Sequence, residues 1–407
     1  MHSVAQQASV VLADDLSGAA EIAALMGPGT PVHLHRQWRA LPVERPVVVD
    51  VHTRGLPAAR AYRTNHAAAG ALWSGDGPMI AKIDSLLRGP IGAAADALLD
   101  VGAGDEPRPV GLLCPALPAQ GRTVRGGVLH VAGVPLPQTE LWAAEAGSPP
   151  TRVVDVLREH RGVACSLAEL RAGKLPGLLA DSRGAVVVCD AETPQDLDAI
   201  TEAIRTTPRM AVLGAASLCG RVMGEAGLSH RRAVAVPRGK RPILVVAGTA
   251  APIARSQAER WISVTGAAVI EVAAADLCGD PSMRTQIAAA IDAASQRGDV
   301  LLRYHPGTDP GVPGHILAEA TGAAVAAGWR LGEIDLVVLG GETARAVLDA
   351  VAQGAITAVA EAHPGAVICD TGRGSLICTR PGSFGDADSL ITIRSALADI
   401  TDIERKP

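Results

Sequence analysis

Met79-Ile80-Ala81-Lys82-Ile83-Asp84-Ser85-Leu86-Leu87-Arg88-Gly89-Pro90-Ile91-Gly92 decides the fold. The apolar run ending in Lys82 reads as a buried strand. A polar loop follows, and Pro90 opens a helical pattern carried by Ile91, Ala94, Ala95, Leu98 and Leu99. Proline suits a first helical turn because the N–H it lacks would have no partner there. Lys82, Asp84, Ser85 and Arg88 therefore sit where a strand hands over to a helix, the edge at which open α/β sheets bind ligands. Two cations, a carboxylate and a hydroxyl suit a small polyhydroxy acid, whose carboxylate an arginine would grip through paired hydrogen bonds.

The same pattern recurs on either side. Ser9 to Ala13 reads as a strand, Asp14-Asp15 as its polar end, and Ala19 to Met26 as a helix. Two adjacent carboxylates at a strand end are costly unless a cation or sugar hydroxyls satisfy them. One Asp alone would serve as a helix cap. Pro46 to Val51 is a strand running into Arg54, and Pro109 to Cys114 leads into Pro115-Ala116-Leu117-Pro118-Ala119-Gln120-Gly121-Arg122-Thr123. Polar groups at several strand ends point to one pocket. Val128 to Val134 reads as a hairpin arm, Ala185 to Asp190 and Met210 to Leu213 as further strands. His33 and His35 alternate with apolar neighbours and are expected to face solvent from a strand and not to bind metal. Strands alternating with helices imply a mainly parallel sheet covered on both faces.

Arg231 to Arg241 carries five positive charges and little apolar periodicity. It divides the chain into two domains, 1–235 and 236–407. The expected fold is α/β, each domain a mainly parallel sheet flanked by helices, with a cleft between the two. In the second half, Ile243 to Ala247 leads into Gly248-Thr249-Ala250-Ala251. Asp335 to Leu339 leads into Gly340-Gly341-Glu342-Thr343-Ala344, and Leu376 to Thr379 into Arg380-Pro381-Gly382-Ser383-Phe384-Gly385. Small residues between strand and helix let backbone N–H groups approach phosphate oxygens, and a helix N-terminus favours their charge. Three such loops suggest a nucleotide phosphate site. The sequence has no GxxxxGK[ST], GxGxxG or GxSxG motif, which argues against P-loop ATPases, dinucleotide oxidoreductases and serine hydrolases.

At 407 residues more than one domain is expected. With one Phe and two Tyr in a chain that is 48% hydrophobic, the cores must be aliphatic. A net charge of −5 without a long charge run argues against nucleic-acid and membrane-surface partners. Seven Cys without a CxxC pair read as reduced, buried thiols. The first residues lack the basic region of a signal peptide, so a cytoplasmic setting is expected.

Ala13-Asp14-Asp15-Leu16-Ser17-Gly18-Ala19, Lys82 to Gly89 and Pro115 to Thr123 together resemble the sugar-binding domain of the four-carbon acid sugar kinases. Gly340 to Ala344 and Pro381 to Gly385 resemble that family's nucleotide-binding domain, in the same chain order. The resemblance implies phosphorylation of the terminal hydroxyl of a tetronate such as D-threonate, D-erythronate or 3-oxo-tetronate, with ATP and Mg²⁺. Asp14, Arg54, Lys82, Ser85, Arg88, Gln120, Gly121 and Arg122 would bind the sugar acid, Arg88 or Arg54 holding its carboxylate. Asp84 or Asp15 would take the proton of the attacking hydroxyl. Gly248, Thr249, Gly340, Gly341, Thr343, Arg380, Pro381, Gly382, Ser383 and Gly385 would bind ATP; no residue is assigned to the metal. A homo-oligomer is among the expectations. The chain departs from the family's pattern at Leu86, Leu117, Thr249 to Ala251, Arg380, Ser383 and around Glu145 to Pro150. Two rivals follow: a non-catalytic sugar-acid or nucleotide-binding paralogue, and an ATP-independent enzyme acting on the same acids.

Overall fold

A computed structural model describes residues 10–402 except 35–37, 39–46, 76, 105, 143, 144, 146, 159–161, 208, 225–240, 250, 306–311 and 383. Short runs of Val, Leu, Ile and Ala form most of its strands, and such strands are buried along their whole length, as in sheets covered on both faces. The strands of the first half are β1 (Val10–Ala13), β2 (Pro31–His33), β3 (Val47–Asp50), β4 (Met79–Lys82), β5 (Gly111–Cys114), β6 (Arg122–Arg125), β7 (Val128–Val131), β8 (Val134–Pro135), β9 (Gly162–Cys165), β10 (Val186–Cys189) and β11 (Ala211–Gly214). Those of the second half are β12 (Ile243–Ala247), β13 (Ala268–Val272), β14 (Val300–Tyr304), β15 (Asp335–Leu339), β16 (Ala355–His363), β17 (Ala366–Asp370) and β18 (Leu376–Arg380).

Two compact units result: residues 1–26 with 35–230, and residues 27–34 with 231–407. The expected cut at 235 lies outside the described residues. In the first unit the strand order is β3-β1-β4-β11-β5-β10-β9, every neighbouring pair parallel. A small antiparallel sheet, β6-β7-β8, accompanies it. In the second unit β13-β14-β12-β15-β18 is parallel and continues antiparallel through β17, β16 and β2.

The second unit thus contains a strand from early in the chain. β2 pairs with β16, and the Arg345 guanidinium ties down its end by donating to the Leu34 carbonyl at 2.8 Å. His33, expected to face solvent, is buried as a result; His35 lies outside the described residues. The cores are aliphatic. In the second unit the largest buried side chain is Trp261, packed among Val245, Leu301, Val337, Ile368 and Ile393, each such aliphatic burial stabilising by roughly 1.5–3 kcal/mol. All seven cysteines are unpaired thiols. Among the described residues no helix is long and apolar enough to cross a membrane.

Candidate active site

In the first unit β3, β1 and β4 lie side by side, so their polar C-terminal ends fall together. Asp15 has extended backbone and caps the helix Leu16–Leu25, its Oδ1 accepting the Gly18 N–H at 3.0 Å. Beyond β3 the chain turns through His52, whose φ is 50°, and both Thr53 and Arg54 donate backbone N–H groups to the Asp14 carbonyl. That turn lays the Arg54 guanidinium over both aspartates. Nε and Nη2 reach Asp14 at 3.0 and 2.8 Å; Nη1 and Nη2 reach Asp15 at 2.8 Å each. Lys82, buried beneath, has Nζ 3.7 Å from Asp15 Oδ1.

The loop after β4 is wound around Asp84. Its Oδ2 accepts the backbone N–H groups of Leu86 and Arg88 at 3.2 Å, and Arg88 closes on it with Nε at 2.7 Å and Nη2 at 2.9 Å. The wrap forces Leu87 to a φ of 64°, a left-handed conformation that costs a non-glycine residue on the order of 1 kcal/mol. Gly89, at φ 87°, passes the Arg54 backbone so closely that a Cβ would stand 3.2 Å from the Arg54 carbonyl oxygen. Arg122, the first residue of β6, donates to the Ser85 hydroxyl. Gly121 ends the preceding turn with a φ of 66°, and Gln120 is half-buried on it.

This is a charge-compensated network under low solvent access, and its members titrate unequally. Burial pushes Asp84 up, but Arg88 and then Arg54 outweigh it and hold the carboxyl well below its ordinary value. Burial likewise opposes ionisation of Asp15, and Arg54, Lys82 and the Gly18 N–H overcome it, so its pKa is lowered. At Asp14 burial prevails, helped by the neighbouring Asp15 charge, and its pKa is raised. Burial lowers Arg122. Lys82 is raised, since the pull of Asp15 and Asp14 exceeds its desolvation.

Two expected carboxylate holders thus behave differently. Arg54 commits Nε, Nη1 and Nη2 to Asp14 and Asp15 and braces the two carboxylates as a strut. Arg88 commits one edge to Asp84 and presents Nη1 to Glu145, 3.5 Å away. The cations around Asp84 and Asp15 favour their ionised forms, the state in which a carboxylate can accept a proton. Three contributors were missed by sequence reasoning. Trp142 Nε1 donates to the Leu86 carbonyl at 2.8 Å, and Glu145 meets Arg88. Asp190, at the end of β10, accepts the Gly126 and Gly127 N–H groups at 2.8 Å and so fixes the hairpin that carries Arg122. Asp190 was detectable as one more acid at a strand end; nothing in the spacing marks Trp142 or Glu145.

In the second unit β12, β15 and β18 are adjacent and parallel, so the three glycine loops converge. A Cβ on Gly248 would stand 2.4 Å from Thr343 Oγ1, and one on Gly382 would stand 2.6 Å from Thr249 Oγ1. Gly340, at φ 120°, donates its N–H to the Arg380 carbonyl at 3.0 Å and precedes the helix Gly341–Ala350. The result is a backbone-lined cradle at a helix N-terminus, suited to phosphate oxygens. Arg380 is not part of its lining. Its side chain points into the core, fully buried, and donates to the carbonyls of Pro381 and Phe384 and to Gln257 Oε1. Burial lowers its pKa to about 10. It shapes the Pro381–Gly385 loop from beneath; Gly385, at φ 77°, packs on Ser389, and Ser383 lies outside the described residues.

Residues 9–222 match the model of a sugar-binding N-terminal domain, and residues 244–390 that of a nucleotide-binding C-terminal domain. A D-threonate kinase of Cupriavidus necator is 30% identical across 94% of this chain and 96% of its own. The chain belongs to the four-carbon acid sugar kinase family. Another relative of this family member is a 3-oxo-tetronate kinase of Methylobacterium radiotolerans, 29% identical over 93% of this chain and 96% of its own. The solved structure of a putative tRNA synthase from Salmonella typhimurium LT2 shares the kinase-family fold, with a TM-score of 0.72, 22% identity, and 95% of this chain and 98% of that chain covered. In this family member the Asp14–Arg54–Asp84–Arg88 network falls in the sugar-binding match, and the glycine cradle in the nucleotide-binding one.

Proposed function

We propose that this chain transfers the γ-phosphoryl group of ATP to the terminal hydroxyl of a four-carbon sugar acid of the D-threonate, D-erythronate or 3-oxo-tetronate kind. The observation that carries the reading is the state of Arg88. Asp84 immobilises one edge of its guanidinium, so the remaining end face is aimed and rigid, as planar recognition of a carboxylate requires. Lys82, Ser85, Gln120 and Arg122 supply further groups for the substrate's hydroxyls. Asp14, Asp15 and Asp84 stand together at these strand ends, and the proton acceptor in this reading is one of these carboxylates; Asp14 is the one whose pKa burial raises.

For the nucleotide, the backbone N–H groups around Gly248, Gly340, Gly341 and Gly382 receive the phosphates, with Thr249 and Thr343 beside them. This donor set is neutral. It fits phosphate oxygens and leaves their charge to a Mg²⁺ ion brought in by ATP, held mainly by phosphate and water. Such an ion supplies charge neutralisation; positioning falls to the protein.

ADP release measured with ATP and each tetronate in turn tests the reading. One or more tetronates should raise ADP release well above that with ATP alone. Tetronate binding without ADP would make the chain a binding protein, and product formed without ATP would make it a different enzyme.

A further inference from the structure

We propose that Glu145 is a built-in stand-in for the substrate carboxylate, occupying the end face of Arg88 until a sugar acid displaces it. The inference rests on the reading of Arg88 given above and goes beyond it by naming a residue that sets affinity. A guanidinium has two carboxylate-binding faces, the edge through Nε and the end through the two Nη atoms. Asp84 fills the first with bonds of 2.7 and 2.9 Å. Glu145 Oε1 stands 3.5 Å from Nη1, one of the two nitrogens of the second.

The two carboxylates differ in every respect that governs exchange. Asp84 is buried, with a side chain 7% exposed, and also accepts two backbone N–H groups. Glu145 is 36% exposed and lies beyond hydrogen-bonding distance. It therefore keeps its hydration and holds Arg88 weakly. Its register over the loop is fixed nearby: Trp142 Nε1 donates to the Leu86 carbonyl, and the Glu145 N–H donates to the Trp142 carbonyl at 2.9 Å. A carboxylate parked weakly on a rigid guanidinium lowers the apparent affinity for any acid that must take its place, and it excludes anions too poor in other contacts to compete.

The test is calorimetric titration of D-threonate, D-erythronate, 3-oxo-tetronate and glycolate into the full chain, E145Q and E140Q. Glu140 is an exposed acid nearby and controls for a general change in charge. In E145Q the dissociation constant of whichever tetronate binds the unaltered chain should fall about threefold to fivefold, the upper part of the range for an exposed ion pair. Glycolate should gain at least as much, E140Q should stay within about twofold, and ATP binding should be the same in all three proteins. An unchanged or weaker tetronate affinity in E145Q overturns the exchange while leaving the sugar-acid pocket standing. A gain of equal size in E140Q also overturns it. If none of the three proteins binds any of these acids, the pocket reading falls, and the exchange with it.

Discussion

The Lys82 side chain fills the space that any side chain at Gly18 would need: a Cβ there would stand 2.0 Å from Nζ and 2.5 Å from Cε. The ammonium is thereby held over the first turn of the helix Leu16–Leu25, beside the carboxylate of Asp15. Gly18→Ala removes a poor helix former, which favours the helix by up to about 1 kcal/mol, but it evicts Lys82. Thermal stability should fall, because losing a buried ion-pair partner outweighs the helix gain, while the KM for the sugar acid rises on the order of tenfold and that for ATP does not move.

Arg88→Ala should abolish sugar-acid-dependent turnover, since Arg54 is committed to Asp14 and Asp15 and cannot take over the carboxylate. ATP binding, read by calorimetry, should be retained because the cradle belongs to the other unit.

Asp84→Asn breaks a buried ion pair and leaves Arg88 partly unmatched, at a cost of about 3–5 kcal/mol in urea unfolding. Asp84's folded pKa lies well below its ordinary 3.8. Its stabilising contribution is therefore complete above that ordinary value and is lost as pH falls towards the folded one. The gap in stability between the two proteins should accordingly be widest near neutrality and narrow in acid.

Asp14 is shifted the other way. If it takes the proton, the acid limb of the kcat/KM profile lies above the ordinary carboxylate value of 3.8, and Asp14→Asn removes that limb along with most of kcat.

The sequence made the strand–loop–helix units legible because their strands are unbroken aliphatic runs, while Asp14-Asp15, Lys82 to Arg88 and the glycine loops interrupt them abruptly. Which edge of an arginine is engaged was not legible. Arg54 and Arg88 stand alike at strand ends, and only the folded loops show that one braces Asp14 and Asp15 while the other closes on Asp84. Arg380 misled because it closes an alternating strand, and whether its side chain turns inward or outward depends on the pairing of β18 with β15 and β17. The pairing of β2 was not legible for a simpler reason: its partner lies more than three hundred residues along the chain.

Gly382→Ala tests the cradle. The added methyl collides with Thr249, whose own hydroxyl already accepts the Ala251 N–H at 3.2 Å, so one loop must give way. ATP affinity should fall at least tenfold with sugar-acid binding intact.

Phosphorus NMR of a reaction holding ATP, Mg²⁺ and the best-binding tetronate follows the phosphoryl group itself. A kinase of this kind converts the γ-phosphate signal into that of a phosphate ester coupled to the protons on the terminal carbon of the acid. If instead the signal stays in ATP, or appears only as inorganic phosphate with every tetronate tried, the account of phosphoryl transfer is contradicted.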